Sequence, residues 1–380
     1  MAASMRRGAF LLLMGGFLLA CAPGAPDMNA YAAGAATRLS WQEIDGWHTD
    51  DQSAALDAFK GSCARILKLS PSAPLDIKGG DPLYGKAGDW QPACEAAAKV
   101  GPGAGAANAR GFFQHWFVPV RFPAQKGLFT GYYEPEMKGS LTRHGPYQTP
   151  VLAPPPGFRM VEGGGSFPNR AAIEDGALNT EKLALLWLES PIDAFFLHVQ
   201  GSGRVKLETG EIVRLSFAAK TGHPYTSIGK LLVERGEMVL DEVSMQTIRA
   251  WLAAHPQEGR ALMRENESYI FFRILRNVDP SKGPPGAEGV SLTPGRSLAV
   301  DRSKHPLGTL LFLTTEHPTV DGTGFVAVRR LMVAQDTGSA IKGLQRGDIF
   351  FGSGAEAGEI AGRMKAEGEL IALVPKEIAP

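Results

Sequence analysis

Cysteine is nearly absent: three in 380 residues, Cys21, Cys63 and Cys94. That excludes a small scaffold held by many disulfides, and without a Cys-x-x-Cys pair it leaves no cysteine zinc site. The eight histidines include no His-x-x-x-His pair, and His198, His223 and His305 stand singly. No acid-dense calcium loop occurs either, so no metal site is expected. Charge of either sign is not in excess, with 39 Lys+Arg against 39 Asp+Glu, which makes nucleic acid a poor partner. There is no Gly-x-Ser-x-Gly elbow, and "GSGR" at 201–204 lacks the Gly-Lys-Ser/Thr of a phosphate loop. No repeat period is visible. No cofactor is implied.

What is present begins with a targeting segment. Arg6 and Arg7 precede "AFLLLMGGFLLACA", an apolar run short of the ~20 residues that span a bilayer. It ends in "LLAC", which resembles a lipoprotein processing box with Cys21 as the lipidated residue. Ordinary cleavage in the Ala-rich stretch that follows is the alternative. Residues 1–21 are thus read as a signal peptide and 22–38 as a tether. Removing Cys21 leaves Cys63 and Cys94, an even number in an exported chain. Both lie in helical-looking segments, so a disulfide between them is expected, with two buried thiols as the alternative.

Glycine (46) and proline (27) are plentiful, which suits many short strands and turns. From Ala54 through Leu56, Phe59, Cys63 and Ile66 the spacing predicts an amphipathic helix with an acidic first turn. "RVKLE", a Thr209-Gly210 turn and "EIVRLSFA" predict a hairpin. "DEVSMQTIRAWLAAHP" predicts a helix with Asp241 as its cap. Pro- and Gly-rich junctions near 135–155 and 278–290 suggest a domain inserted between outer segments that belong together.

Acids at strand ends carry the chemistry. Asp301 closes "LAVD", Asp336 closes "VAQD", and Asp348 opens "DIFFG". Residue types alone leave two readings open. Asp336 at a turn entry can simply accept backbone amides, or the three carboxyls can form a catalytic group.

"GRSLAVDRSKHPLGTLLFL" and "AQDTGSAIKGLQRGDIFFG" resemble the domain named for three aspartates, here Asp301, Asp336 and Asp348. "FTGYYEPEMKGS", "SPIDAFFLHVQGSGRVKLETGE", "AAKTGHPYTSIGKLL" and "ESYIFFR" resemble the membrane-bound lytic murein transglycosylase A family. The resemblance implies a mainly β fold with accessory helices (α+β). A double-psi β-barrel domain, 39–134 with 281–380, would carry a second, inserted β domain, 135–280, with a glycan groove between them. It places the catalytic acid and base at Asp348 and a supporting carboxylate at Asp336. Thr130, Tyr132, Gln200, Ser202, Lys220, Tyr225 and Asp301 fall on positions expected to contact substrate. Ser339 stands where a second glycine is expected, adding only a hydroxyl.

The implied substrate is the peptidoglycan glycan strand, cut between N-acetylmuramic acid and N-acetylglucosamine to leave a 1,6-anhydro end. Asp348 would start protonated, which desolvation and the Asp336 charge would favour. An inverting hydrolase would instead use Asp336 and Asp348 as a pair around a water. A non-catalytic glycan binder would need only aromatic faces, with Tyr132, Tyr133, Trp116 and Phe129 as candidates. The expected location is the periplasm, as an outer-membrane lipoprotein, with a cell-wall remodelling complex as a possible partner.

Overall fold

The computed structural model describes residues 36–380 apart from 102, 124, 125, 277 and 280. The processing site at Cys21 lies outside the described residues. The tether is not wholly featureless: β1 (Thr37–Arg38) pairs antiparallel with β2 (Phe117–Arg121).

Three helices stand between these strands, α1 (Ser53–Ile66), α2 (Ala87–Lys99) and α3 (Gly105–Trp116). α1 buries Leu56, Phe59, Cys63 and Ile66, the predicted stripe, but Ala55 rather than Ala54 faces inward. Its first turn holds no acid. Asp50 stays ahead of the helix because its carboxylate is drawn onto the Arg296 guanidinium, and Asp51 instead accepts from Ser53. Cys63 and Cys94 are disulfide-bonded with their Cα atoms 5.0 Å apart, clipping α1 to α2. Phe59, Trp90, Phe113 and Phe117 pack into one fully buried aromatic cluster beside them.

After β3 (Gly127–Glu134) the chain leaves for a second sheet. That sheet comprises β4 (Glu136–Ser140), β5 (Thr149–Leu152), β6 (Ala184–Leu188), β7 (Ser202–Leu207), β8 (Ile212–Lys220) and β9 (Ile270–Leu275), in the order β5-β6-β4-β7-β8-β9. β7 and β8 form the predicted hairpin, with Gly210 at φ 86° in its turn. Helix α4 (Pro191–Gln200) enters β7 through Gly201, whose φ of 77° is the left-handed conformation glycine adopts without strain. Helices α5 (Ile228–Glu234), α6 (Met245–Ala254) and α7 (Pro256–Arg264) pack against α4. The cap of α6 is Ser244, whose hydroxyl accepts from the Thr247 amide; Asp241 sits in a separate short turn, too far ahead to reach the helix.

The chain then returns through β10 (Ser297–Val300), β11 (Leu310–Pro318), β12 (Phe325–Asp336), β13 (Arg346–Ser353), α8 (Ala355–Arg363) and β14 (Lys365–Pro375). The strands run in the order β14-β11-β12-β10-β13-β3, and the start of β14 pairs back onto β3, closing a six-stranded barrel. β10–β12 and β13–β3 are parallel, and the other pairs are antiparallel. This is the double-psi barrel that the resemblance implied. Its strands bury both faces, with Leu298, Phe312, Leu331, Val333, Phe350 and Leu373 all fully buried.

Helix α8 lies so close to β3 that two positions admit only glycine. A Cβ on Gly131 would come 2.9 Å from the Ala361 Cα, and one on Gly358 would come 2.8 Å from the Tyr133 ring. This contact fixes the strand that carries Thr130 and Tyr132.

Candidate active site

Register brings the acids together. On β10, Ala299 is paired on one side with Asp336 of β12 and on the other with Asp348 of β13; Asp348 is in turn paired with Thr130 of β3. Four adjacent strands thus present a level row, with the Cα atoms of the two aspartates two strand spacings apart, roughly 10 Å. A β-bulge makes this possible. Leu298 pairs with Ala334 but Ala299 with Asp336, so the register skips Gln335 and re-aims the end of β12. The bypassed Gln335 is fully buried and ties Ser297, Ser62 and the Ala58 carbonyl together.

The two carboxylates differ in what holds them. Asp348 accepts at Oδ1 from the Thr130 hydroxyl and from Arg346 Nη1. Its side chain remains 19% exposed and that of Arg346 15%. Asp336 is surrounded: Oδ1 accepts from the amides of Ala287 and Thr337, each at 2.9 Å, and Oδ2 accepts from the Tyr132 hydroxyl at 3.0 Å. The reading of Asp336 as an acceptor of backbone amides is therefore correct, alongside its place in the row. Burial pushes the Asp336 carboxyl above the usual carboxylate range, with the nearby Asp348 charge adding to it and the three donors opposing. Burial, and then the Asp336 charge, pushes the Tyr132 phenol well above its ordinary value.

Asp301 does something else. Its side chain is buried, Oδ1 accepts from the amide and hydroxyl of Ser303, and Oδ2 accepts from the Gly343 amide. Burial alone would raise this carboxyl, but those hydrogen bonds outweigh it and hold it below the usual range. Both oxygens accept bonds that join the loop after β10 to the loop before β13, so Asp301 organises these loops.

The remaining predicted residues come from the stretch of chain between β3 and β10. Gln200, ending α4, accepts from the Tyr133 amide at 3.1 Å, next to Tyr132. Lys220, ending β8, donates to the Ser339 hydroxyl at 3.1 Å, three residues beyond Asp336. Ser339 thus adds more than a bare hydroxyl: it links the barrel to the second sheet. Ser202 is buried at the start of β7, and Tyr225 is 39% exposed before α5. Among the described residues, neither bonds to the carboxylate row. Of the proposed sugar-stacking rings, Phe129 is fully buried and Tyr133 is 8% exposed, packed on Ala357 and Ala361. Both are core. Trp116 ends α3, and its carbonyl holds the Lys376 amide at the β2 side of the barrel.

Two groups were not anticipated. Arg346 is one; the signal available was its place two residues before Asp348 in a strand, hence on the same face. Glu134 is the other. Fully buried, it accepts from Arg204 Nε at 2.8 Å, from Arg214 Nε and Nη2 at 2.6 and 2.7 Å, and from the Ser353 hydroxyl at 2.8 Å. It ties the ends of β3 and β13 to the second sheet immediately beside the site.

Fold and site together define a double-psi barrel protein whose carboxylate row sits where a second, intervening sheet meets the barrel. Residues 128–273 match the model of the MltA specific insert domain, and residues 296–374 match the 3D domain. Membrane-bound lytic murein transglycosylase A of Escherichia coli K12 is 42% identical over 239 residues, which span 62% of this chain and 62% of that relative. The crystal structure of a membrane-bound lytic murein transglycosylase from Agrobacterium tumefaciens superposes with a TM-score of 0.78 at 36% identity, covering 90% of this chain and 98% of that one. E. coli MltA with bound chitohexaose superposes with a TM-score of 0.66 at 33% identity, covering 86% and 90%. The chain belongs to the membrane-bound lytic murein transglycosylase A family.

Proposed function

We propose that this chain is a lytic transglycosylase that cleaves the β-1,4 bond between N-acetylmuramic acid and N-acetylglucosamine in peptidoglycan. Asp348 gives a proton to the glycosidic oxygen as the C1–O bond breaks. The C6 hydroxyl of the same muramic acid then attacks C1, and its proton passes to Asp348, closing a 1,6-anhydro ring. One carboxyl serves both steps because they follow one another, and an intramolecular nucleophile outcompetes water entropically.

The observation that carries this reading is the unequal state of the two carboxylates. An inverting hydrolase needs a second carboxylate free to take a proton from water. Asp336 already accepts three hydrogen bonds and is the more enclosed of the two. It therefore supports the site electrostatically rather than activating water. A purely binding module is disfavoured by the burial of Phe129 and Tyr133.

The chitohexaose held by the E. coli relative supports a β-1,4-linked amino-sugar strand as substrate. It would lie between the barrel (39–134 with 281–380) and the inserted domain (135–280), against Thr130, Tyr132, Gln200, Ser202, Lys220 and Tyr225. Lipidation at Cys21, supported by "LLAC", would hold the enzyme in the periplasm at the outer membrane.

Asp348→Asn tests the assignment. The amide keeps the shape but has no proton to give, so turnover of isolated sacculi should fall at least ~10²–10⁴-fold while the variant still co-sediments with them. Unchanged turnover would remove Asp348 as the catalyst.

A further inference from the structure

Arg346 opens β13 and shares a face with Asp348, two residues on. Its Nη1 donates to the Gly347 carbonyl at 2.8 Å and to Asp348 Oδ1, and its Nη2 donates to Thr130 Oγ1 at 3.0 Å. Thr130 in turn donates to the same Asp348 Oδ1. The three side chains form a closed ring.

Donor chemistry fixes the direction of every bond in that ring. A guanidinium has donors only, so it can only give to the Thr130 oxygen. The single hydroxyl hydrogen of Thr130 is then left for Asp348. Oδ1 thus receives two donors and has no acceptor to which a proton of its own could point. Among the described residues, Oδ2 has no hydrogen-bond partner.

The geometry points to Arg346 as a positioning residue that assigns the working oxygen of Asp348. Oδ1 stays an acceptor throughout, and the transferable proton sits on Oδ2. This rests on the transglycosylase reading above and deepens it. In the first step the proton leaves Oδ2 for the glycosidic oxygen, whose bond to C1 breaks with its electron pair going to that oxygen. The carboxylate left behind is met by the guanidinium, already in place and needing no reorganisation. In the second step the C6 hydroxyl forms its bond to C1 and returns its proton to Oδ2. No water is consumed, and Asp348 ends as it began. The ring serves both steps because Oδ1 accepts in the acid and in the carboxylate alike.

The test is steady-state digestion of purified glycan strands by the full chain, comparing wild type, Arg346→Ala and Arg346→Lys, with thermal melts of each. Arg346→Ala should lose kcat by about 10²-fold with KM within about twofold of wild type. Millimolar guanidinium should restore at least about a tenth of the wild-type kcat to it, and none to Asp348→Asn. Arg346→Lys keeps a charge but not the fork that spans Thr130 and Asp348, so its kcat should also fall at unchanged KM. The proposal is overturned if Arg346→Ala keeps its kcat, if the loss lies in KM, or if a normally folded Arg346→Ala is not rescued. Should Arg346→Ala fail to fold, Arg346→Lys decides, and a wild-type kcat there overturns the proposal. Reducing-end products from the wild type would overturn the transglycosylase reading instead, leaving the kcat comparison to judge Arg346, since glycoside hydrolysis also needs the acid.

Discussion

Asp336 and Asp348 are the same residue type on nearly adjacent strands, yet their partners divide the labour between them. Asp336 is enclosed, and its raised carboxyl has a consequence for stability. A carboxyl whose folded value lies above its unfolded one supports the fold fully while protonated, below the ordinary carboxyl range. That support is lost as pH rises through the folded value. Asp336→Asn removes the charge but keeps an oxygen for the Ala287 and Thr337 amides and an amide that can face the Tyr132 oxygen. The melting temperature of this variant minus that of wild type should therefore increase from about pH 4 to about pH 7. A difference that is flat or falls over that range would contradict the burial account. Strand-ending aspartates among glycines marked these acids as candidates, and the resemblance supplied the roles expected of them. Their unequal environments were not, since Asp336 owes its enclosure to Ala287, 49 residues away in sequence, and to Tyr132, 204 away. The loop-joining contacts of Asp301 were hidden for the same reason: its partners Ser303 and Gly343 show only in the fold.

At the scale of elements, two loops carry the site into place, and one buried imidazole joins them. His305, in the loop after β10, donates from Nε2 to the Leu344 carbonyl just before β13, because a carbonyl can only accept. Nδ1 is then free to accept from the Tyr84 hydroxyl. Burial lowers this histidine from 6.5 to about 4. A depressed histidine contributes stability that is complete above its unfolded value and drains away as pH falls toward its folded value. The displacement from 6.5 to about 4 corresponds to on the order of 3 kcal/mol, at about 1.4 kcal/mol per pH decade. Denaturant titrations between about pH 7 and pH 4 should show wild type losing more stability than His305→Gln by that order. Parallel losses would contradict the link. Helices and hairpins were largely readable from periodicity and turn residues, as in α1 and the β7–β8 pair. The bulge that skips Gln335 was not, because nothing local distinguishes Gln335 from Asp336 as the residue to face Ala299.

Across the whole molecule, the site lies at a junction rather than within one body. Glu134 locks the second sheet to the ends of β3 and β13 through Arg204, Arg214 and Ser353. Lys220 and Ser339 make a lighter, exposed link near Asp336. The first link is buried and multiply bonded, so it holds the junction. The second is a single exposed bond from a flexible cation and adds little to the junction. Proline- and glycine-rich junctions made the excursion of the chain into a second sheet legible in outline. The ion-pair cluster that fastens the two sheets was not, since Glu134, Arg204 and Arg214 look like ordinary strand charges in sequence.

The central claim is that the sugar's own hydroxyl, not water, closes the reaction. Digesting sacculi with the wild-type chain in ¹⁸O-labelled water and weighing the released fragments tests this most directly. The account predicts muramic acid termini in the 1,6-anhydro form, lighter by one water than hydrolysis products and free of label. Reducing ends carrying ¹⁸O at C1 would contradict it and assign the chain to hydrolysis.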